Sequence, residues 1–135
     1  MERTNHARAT RAARPQPSRS QPVPVAMRVA GAAALIAAGF VYWSLGGGWG
    51  LALALLLAPD LAFAAFLFGV KPGVAAYNAV HRPIVPIALL AVGLVTGLRL
   101  AALLALIWVA HIAMDRAAGY GLREVVPAPE PGSPG

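Results

Sequence analysis

Apolar residues fall in four long unbroken runs along this chain, separated by short breaks rich in glycine, proline and polar residues. The runs cover about residues 26–45 (AMRVAGAAALIAAGFVYWSL), 49–70 (WGLALALLLAPDLAFAAFLFGV), 73–96 (GVAAYNAVHRPIVPIALLAVGLVT) and 98–119 (LRLAALLALIWVAHIAMDRAAG). Each is close to the ~20 residues that cross the hydrocarbon core of a bilayer as a helix. None alternates apolar and polar positions with period two, so a barrel is excluded. The connections LGGG, KPG and TG are too short for anything but antiparallel neighbours. The pattern predicts an all-α fold, a polytopic membrane four-helix bundle spanning residues 26–122. Residues 1–25 and 123–135 are polar and proline-rich and bury too little apolar surface to order, so both read as disordered termini.

Composition strengthens the membrane reading. Of 135 residues 59% are hydrophobic and 12% charged, too greasy for a soluble domain of this size. There is no cysteine, which excludes disulfides, thiolate metal sites and cysteine nucleophiles. The net charge of +6 is uneven: residues 1–28 hold six arginines against Glu2. A basic tail ahead of apolar helices points to a lipid bilayer with a cytoplasmic N-terminus, not to nucleic acid. With four spans both termini lie on the cytoplasmic side of the inner membrane. Lys71 and Arg123 share that side, and Arg99 is the basic residue opposite. Tyr42, Trp43 and Trp49 flank the first outer loop as an interfacial belt would. Four short helices enclose little volume, so homo-oligomerisation is an open expectation.

Few ionisable or amide side chains interrupt the runs: Asp60, Asn78, His81, Arg82, His111, Asp115 and Arg116, with Tyr77 beside them. At a rise of about 1.5 Å per residue, Asp60 lies ~15 Å, His81 ~12 Å, His111 ~13 Å and Asp115 ~8 Å from the cytoplasmic face. Three separate helices thus bring ionisable groups to one half of the membrane. His111 and Asp115 share a helix face, as do Tyr77 and His81. Pro59, Pro83 and Pro86 are expected to kink their helices beside these groups. Two imidazoles and two carboxylates, from Asp60, His81, His111 and Asp115, suit zinc or another divalent first-row metal. Arg116 would bind an anionic group, and Asn78 and Tyr77 would orient ligands or substrate, making a metal-dependent hydrolase of a lipid-like molecule. The alternatives are a non-enzymatic structural or partner-binding bundle whose polar network fixes helix packing, or an ion or proton pathway.

Three stretches carry a family resemblance: PDLAF (59–63), YNAVH (77–81) and HIAMDRAAGYGL (111–122). They resemble the domain-of-unknown-function 4260 family of small bacterial integral membrane proteins over about residues 28–123. That family's pattern has a Pro-Asp-Leu-Ser stretch, a Tyr-Asn-x-x-His stretch and a closing His-x-x-x-Asp-Arg-x-x-Gly-Tyr-Gly-Leu-Lys-Tyr. The resemblance places Asp60 in the first motif, Tyr77, Asn78 and His81 in the second, and His111, Asp115, Arg116, Gly119, Tyr120 and Gly121 in the third. Ala62 stands where the family has serine, and Arg123 and Glu124 replace the Lys-Tyr ending. The resemblance implies a membrane fold and these positions, and no particular activity. More distantly, the arrangement is similar to membrane-bound metal-dependent hydrolases related to LexA-regulated proteins, which have a Pro-Asp helix followed by His and His-x-x-x-Asp residues.

Overall fold

The computed structural model describes residues 18–126; the remainder of the two predicted tails lies outside the described residues. In chain order the elements are strand β1 (Ser18–Ser20), helix α1 (Val25–Ser44), helix α2 (Trp49–Leu55), a 3-10 segment (Ala58–Phe68), helices α3 (Val70–Val80), α4 (Ile84–Thr96) and α5 (Arg99–Ala118), and strand β2 (Arg123–Val125). The fold is all-α but for the short ribbon made by β1 and β2. Among the described residues four helical stretches are long and apolar enough to cross a membrane: Val25–Ser44, Trp49–Phe68, Val70–Thr96 and Arg99–Ala118.

Helix α5 is the axis of the bundle and buries eight residues, among them His111. Helices α1 and α4 pack along it, and the 3-10 segment packs on α3. The apolar core sits between α1 and α5 and is built from Ala38, Tyr42, Leu103, Leu106 and Ile107. Two glycines set the spacing. A Cβ on Gly31 would lie 2.8 Å from the Ala113 carbonyl oxygen, and one on Gly93 would lie 2.6 Å from the Ala102 nitrogen. Backbone therefore meets backbone there, the close approach that small residues allow between packed helices. At the end away from the ribbon, Arg99 donates from Nε to the Leu45 carbonyl at 2.7 Å and from Nη2 to that of Gly46 at 2.6 Å. A cation there satisfies the carbonyls left free by the end of α1 and complements its dipole.

Two of the expected helices are broken where proline removes a backbone donor. The run 49–70 is α-helical only through Leu55; Pro59 then opens a 3-10 stretch in place of a kinked α-helix. The run 73–96 stops at Val80, and Pro83 caps the start of α4. His81 occupies the break as the C-cap of α3, its N–H bonded to the Tyr77 carbonyl at 3.0 Å. The ends of the chain differ from the sequence expectation as well. Ser18–Ser20 and Arg123–Val125, assigned to disordered tails, pair antiparallel with Arg19 opposite Glu124. The Arg19 guanidinium donates to the Glu124 carboxylate, and this hydrogen bond holds Glu124 below the usual carboxylate range. The ribbon joins the segment before α1 to the segment after α5 at one end of the bundle.

Candidate metal centre

Asp60 enters the bundle from the 3-10 segment, His81 from the break after α3, and His111 and Asp115 from adjacent turns of α5. Both imidazoles are fully buried. His81 Nε2 lies 3.1 Å from His111 Nε2, 3.6 Å from Asp60 Oδ1 and 3.5 Å from Asp115 Oδ2. His111 Nε2 lies 3.6 Å from the same Asp60 oxygen and 3.8 Å from the same Asp115 oxygen. One donor atom from each residue thus falls within 4.8 Å of all the others. Ligands about 2.0–2.2 Å from a tetrahedral ion stand about 3.3–3.6 Å apart. The observed separations bracket that spacing.

The surroundings orient these donors. His81 Nδ1 is 2.8 Å from the Tyr77 carbonyl oxygen, which only accepts, so Nδ1 holds a proton and Nε2 is the nitrogen that faces the cluster. The Tyr77 ring stacks on the imidazole, centroids 3.8 Å apart and planes 13° apart. Its hydroxyl donates a long 3.4 Å bond to Asp115 Oδ2. Trp108 Nε1 donates to the Val80 carbonyl at 2.7 Å and fixes the end of α3 against α5 beside His81. Such supporting bonds set the tautomer and angle of a metal-binding histidine. His111 Nδ1, by contrast, is buried without a hydrogen-bond partner among the described residues. An unsatisfied buried nitrogen costs about 1–3 kcal/mol, and here it accompanies an Nε2 aimed at the three other donor atoms.

Two residues expected at this site do other work. Both amide atoms of Asn78 bond the backbone of Arg123: Nδ2 donates to its carbonyl and Oδ1 accepts from its N–H, each at 2.8 Å. Asn78 therefore fastens β2 to α3 as a neighbouring strand would. Arg116 donates from Nη1 to the Tyr120 carbonyl at 2.6 Å, bracing the turn that ends α5. Arg82 is exposed at the helix break. Tyr77, placed beside the ligands by its spacing to His81, does touch them. Arg123 was not anticipated: its guanidinium lies over the rings of Phe63, Phe66 and Tyr77, 4.9, 5.7 and 5.3 Å from their centroids. Among the described residues its Nε is buried without a partner, and its Nη1 donates to Ser18 Oγ at 3.4 Å. The one sequence signal for this contact was the pair Phe63 and Phe66, one turn apart.

Residues 25–126 match the family described as Domain of unknown function (DUF4260). The chain belongs to that family. All three DUF4260-like stretches lie within the match, and each contributes at least one of the four clustered residues. No curated protein and no solved structure matches the chain.

Proposed function

We propose that this DUF4260 protein is a multi-pass inner-membrane protein that holds one divalent transition metal, zinc being the best fit, and uses it to hydrolyse a lipid-like amphiphile. The observation behind this reading is the convergence of two imidazole nitrogens and two carboxylate oxygens within 4.8 Å from three chain segments. An aspartate at the centre of a membrane helix costs roughly 2.5–3.5 kcal/mol on insertion scales. Two of them side by side also repel each other in a low dielectric. A dication held between the two carboxylates offsets that charge. A bound zinc ion acts as a Lewis acid and activates water near neutral pH. His81, His111, Asp60 and Asp115 supply its ligands, and Tyr77 holds His81 and Asp115 in register. Arg19, Arg28, Lys71 and Arg123 lie toward the end where the chain enters and leaves the bundle, which supports cytoplasmic termini.

A second reading rests on the ligand count. Four protein ligands close a zinc site, as in structural sites, whereas catalytic zinc keeps a position open. On that reading the metal cross-links α3, α5 and the second span and the protein serves as a scaffold. Turnover separates the two. Full-length protein in detergent, stripped with a chelator and reloaded with zinc, is expected to hydrolyse a long-chain ester in mixed micelles, and His111→Ala is not. Equal rates for stripped and loaded protein would overturn the hydrolase; metal-dependent melting without turnover would establish the scaffold.

A further inference from the structure

The four ligands are not held alike. The His111 and His81 side chains are 0% and 1% exposed and that of Asp115 is 15%, whereas that of Asp60 is 39%. His81 is bonded and stacked by Tyr77, and Asp115 accepts from the same tyrosine. Among the described residues the Asp60 carboxylate has no neighbour of hydrogen-bonding or opposite charge beyond the two imidazoles at 3.6 Å each, and its N–H bonds only the Leu57 carbonyl. The segments that carry it are also less enclosed. Neither α2 nor the 3-10 segment buries a single residue, while α5 buries eight. The 3-10 winding that begins beside Pro59 has poorer hydrogen-bond geometry than an α-helix and often marks a hinge. Beside Asp60 lies an apolar, open-sided cavity of about 300 Å³, lined by Leu55, Ala58, Pro59, Val80, Leu104 and Trp108 among others. Two of its walls, Pro59 and Val80, directly precede the ligands Asp60 and His81. At about 30 Å³ per water-sized group it has room for about ten methylenes.

We infer that Asp60 is the exchangeable ligand: an oxygen donor on a single-chain amphiphile takes its place on the metal, with the chain in the cavity beside Pro59 and Val80. This rests on the metal reading above. It leaves His81, His111 and Asp115 as a permanent three-ligand set with one open position, the pattern of catalytic zinc. It also assigns the substrate class: an acyl chain of about ten carbons whose carbonyl or carboxylate oxygen reaches the metal from the side of the second span.

Cobalt-loaded full-length protein in detergent tests this, because the visible bands of cobalt report its coordination without any turnover. Asp60→Ala and Asp60→Asn are expected to retain near-stoichiometric cobalt, and His81→Ala, His111→Ala and Asp115→Ala to lose it. Decanohydroxamate is expected to shift the bands of the parent at a concentration at least about tenfold lower than acetohydroxamate, and Ala58→Phe, which fills the cavity, to remove that chain-length preference. Cobalt loss in both Asp60 variants equal to that in His111→Ala would overturn the inference. So would bands in the cobalt-loaded parent that neither hydroxamate moves. A parent that binds no cobalt would defeat the metal reading itself.

Discussion

Replacing Asn78 with alanine removes two hydrogen bonds at once, those joining its amide to the Arg123 carbonyl and N–H at 2.8 Å each. Each such bond contributes about 0.5–1.5 kcal/mol net, so β2 is released from α3 by about 1–3 kcal/mol. The affected unit is small, and the change therefore appears as local opening more than as global unfolding. Opening becomes about 5- to 150-fold more frequent, at a factor of ten per 1.4 kcal/mol. Amide hydrogen exchange over residues 121–126 of the full chain in detergent reads this directly, with Arg123 losing the most protection. Asn78→Asp keeps the acceptor and is expected to lose about half as much in free energy. Metal content is the second readout: the Asn78 side chain makes its hydrogen bonds to Arg123 and none to the four ligands, so Asn78→Ala keeps the parent's stoichiometry. Metal loss equal to that of His111→Ala would return Asn78 to the binding site and refute its role as a strand clamp.

Other outcomes follow from the same contacts. Gly31→Val drives a side chain into the α5 backbone, where even a Cβ lies 2.8 Å from the Ala113 oxygen and the Ala117 nitrogen; overpacking of about 1–3 kcal/mol lowers the melting temperature in detergent, and an unchanged melt would mean that the helices do not pack this closely. Tyr77→Phe keeps the stack on His81 but loses the hydroxyl on Asp115, so metal affinity falls by about tenfold while stoichiometry holds; competition against a chelator measures it, and parental affinity would remove Tyr77 from the supporting shell. Glu124 titrates below its unfolded value, so its bond to Arg19 supports the ribbon above the ordinary carboxylate pKa and is lost as the pH falls through the lowered one. Exchange protection of β1 and β2 is therefore steady from pH 8 to about 5 and declines below, and Glu124→Gln abolishes the decline; a decline between pH 8 and 6 would contradict the assignment.

The four long apolar helical stretches and the convergence of Asp60, His81, His111 and Asp115 were legible because both follow from helical arithmetic. Apolar run length gives the stretches. A fixed rise per residue gives each polar group a depth, and short loops make neighbouring depths comparable. What escaped depended on contacts between distant parts of the chain. Pro59 announced a break, but the 3-10 winding after it depends on packing against α3. Ser18–Ser20 and Arg123–Val125 are too short and polar to show a strand period, and they order only because the bundle brings both ends together. Asn78 and Arg116 sit at depths compatible with the cluster, yet free backbone groups at Arg123 and Tyr120 claim their side chains. A spacing argument places an α-carbon; the nearest unsatisfied partner decides where a long polar side chain goes. Buried histidines have fewer such choices, and these two do meet the two aspartates.

X-ray absorption at the zinc edge, on full-length protein purified in detergent with metal content measured on the same sample, tests the central claim most directly. The account predicts one zinc per chain, bound by nitrogen and oxygen at about 2.0–2.2 Å, with the multiple-scattering signature of two imidazoles and none in the His81→Ala,His111→Ala double variant. A substoichiometric metal with an oxygen-only shell, or a spectrum unchanged in the double variant, would contradict it.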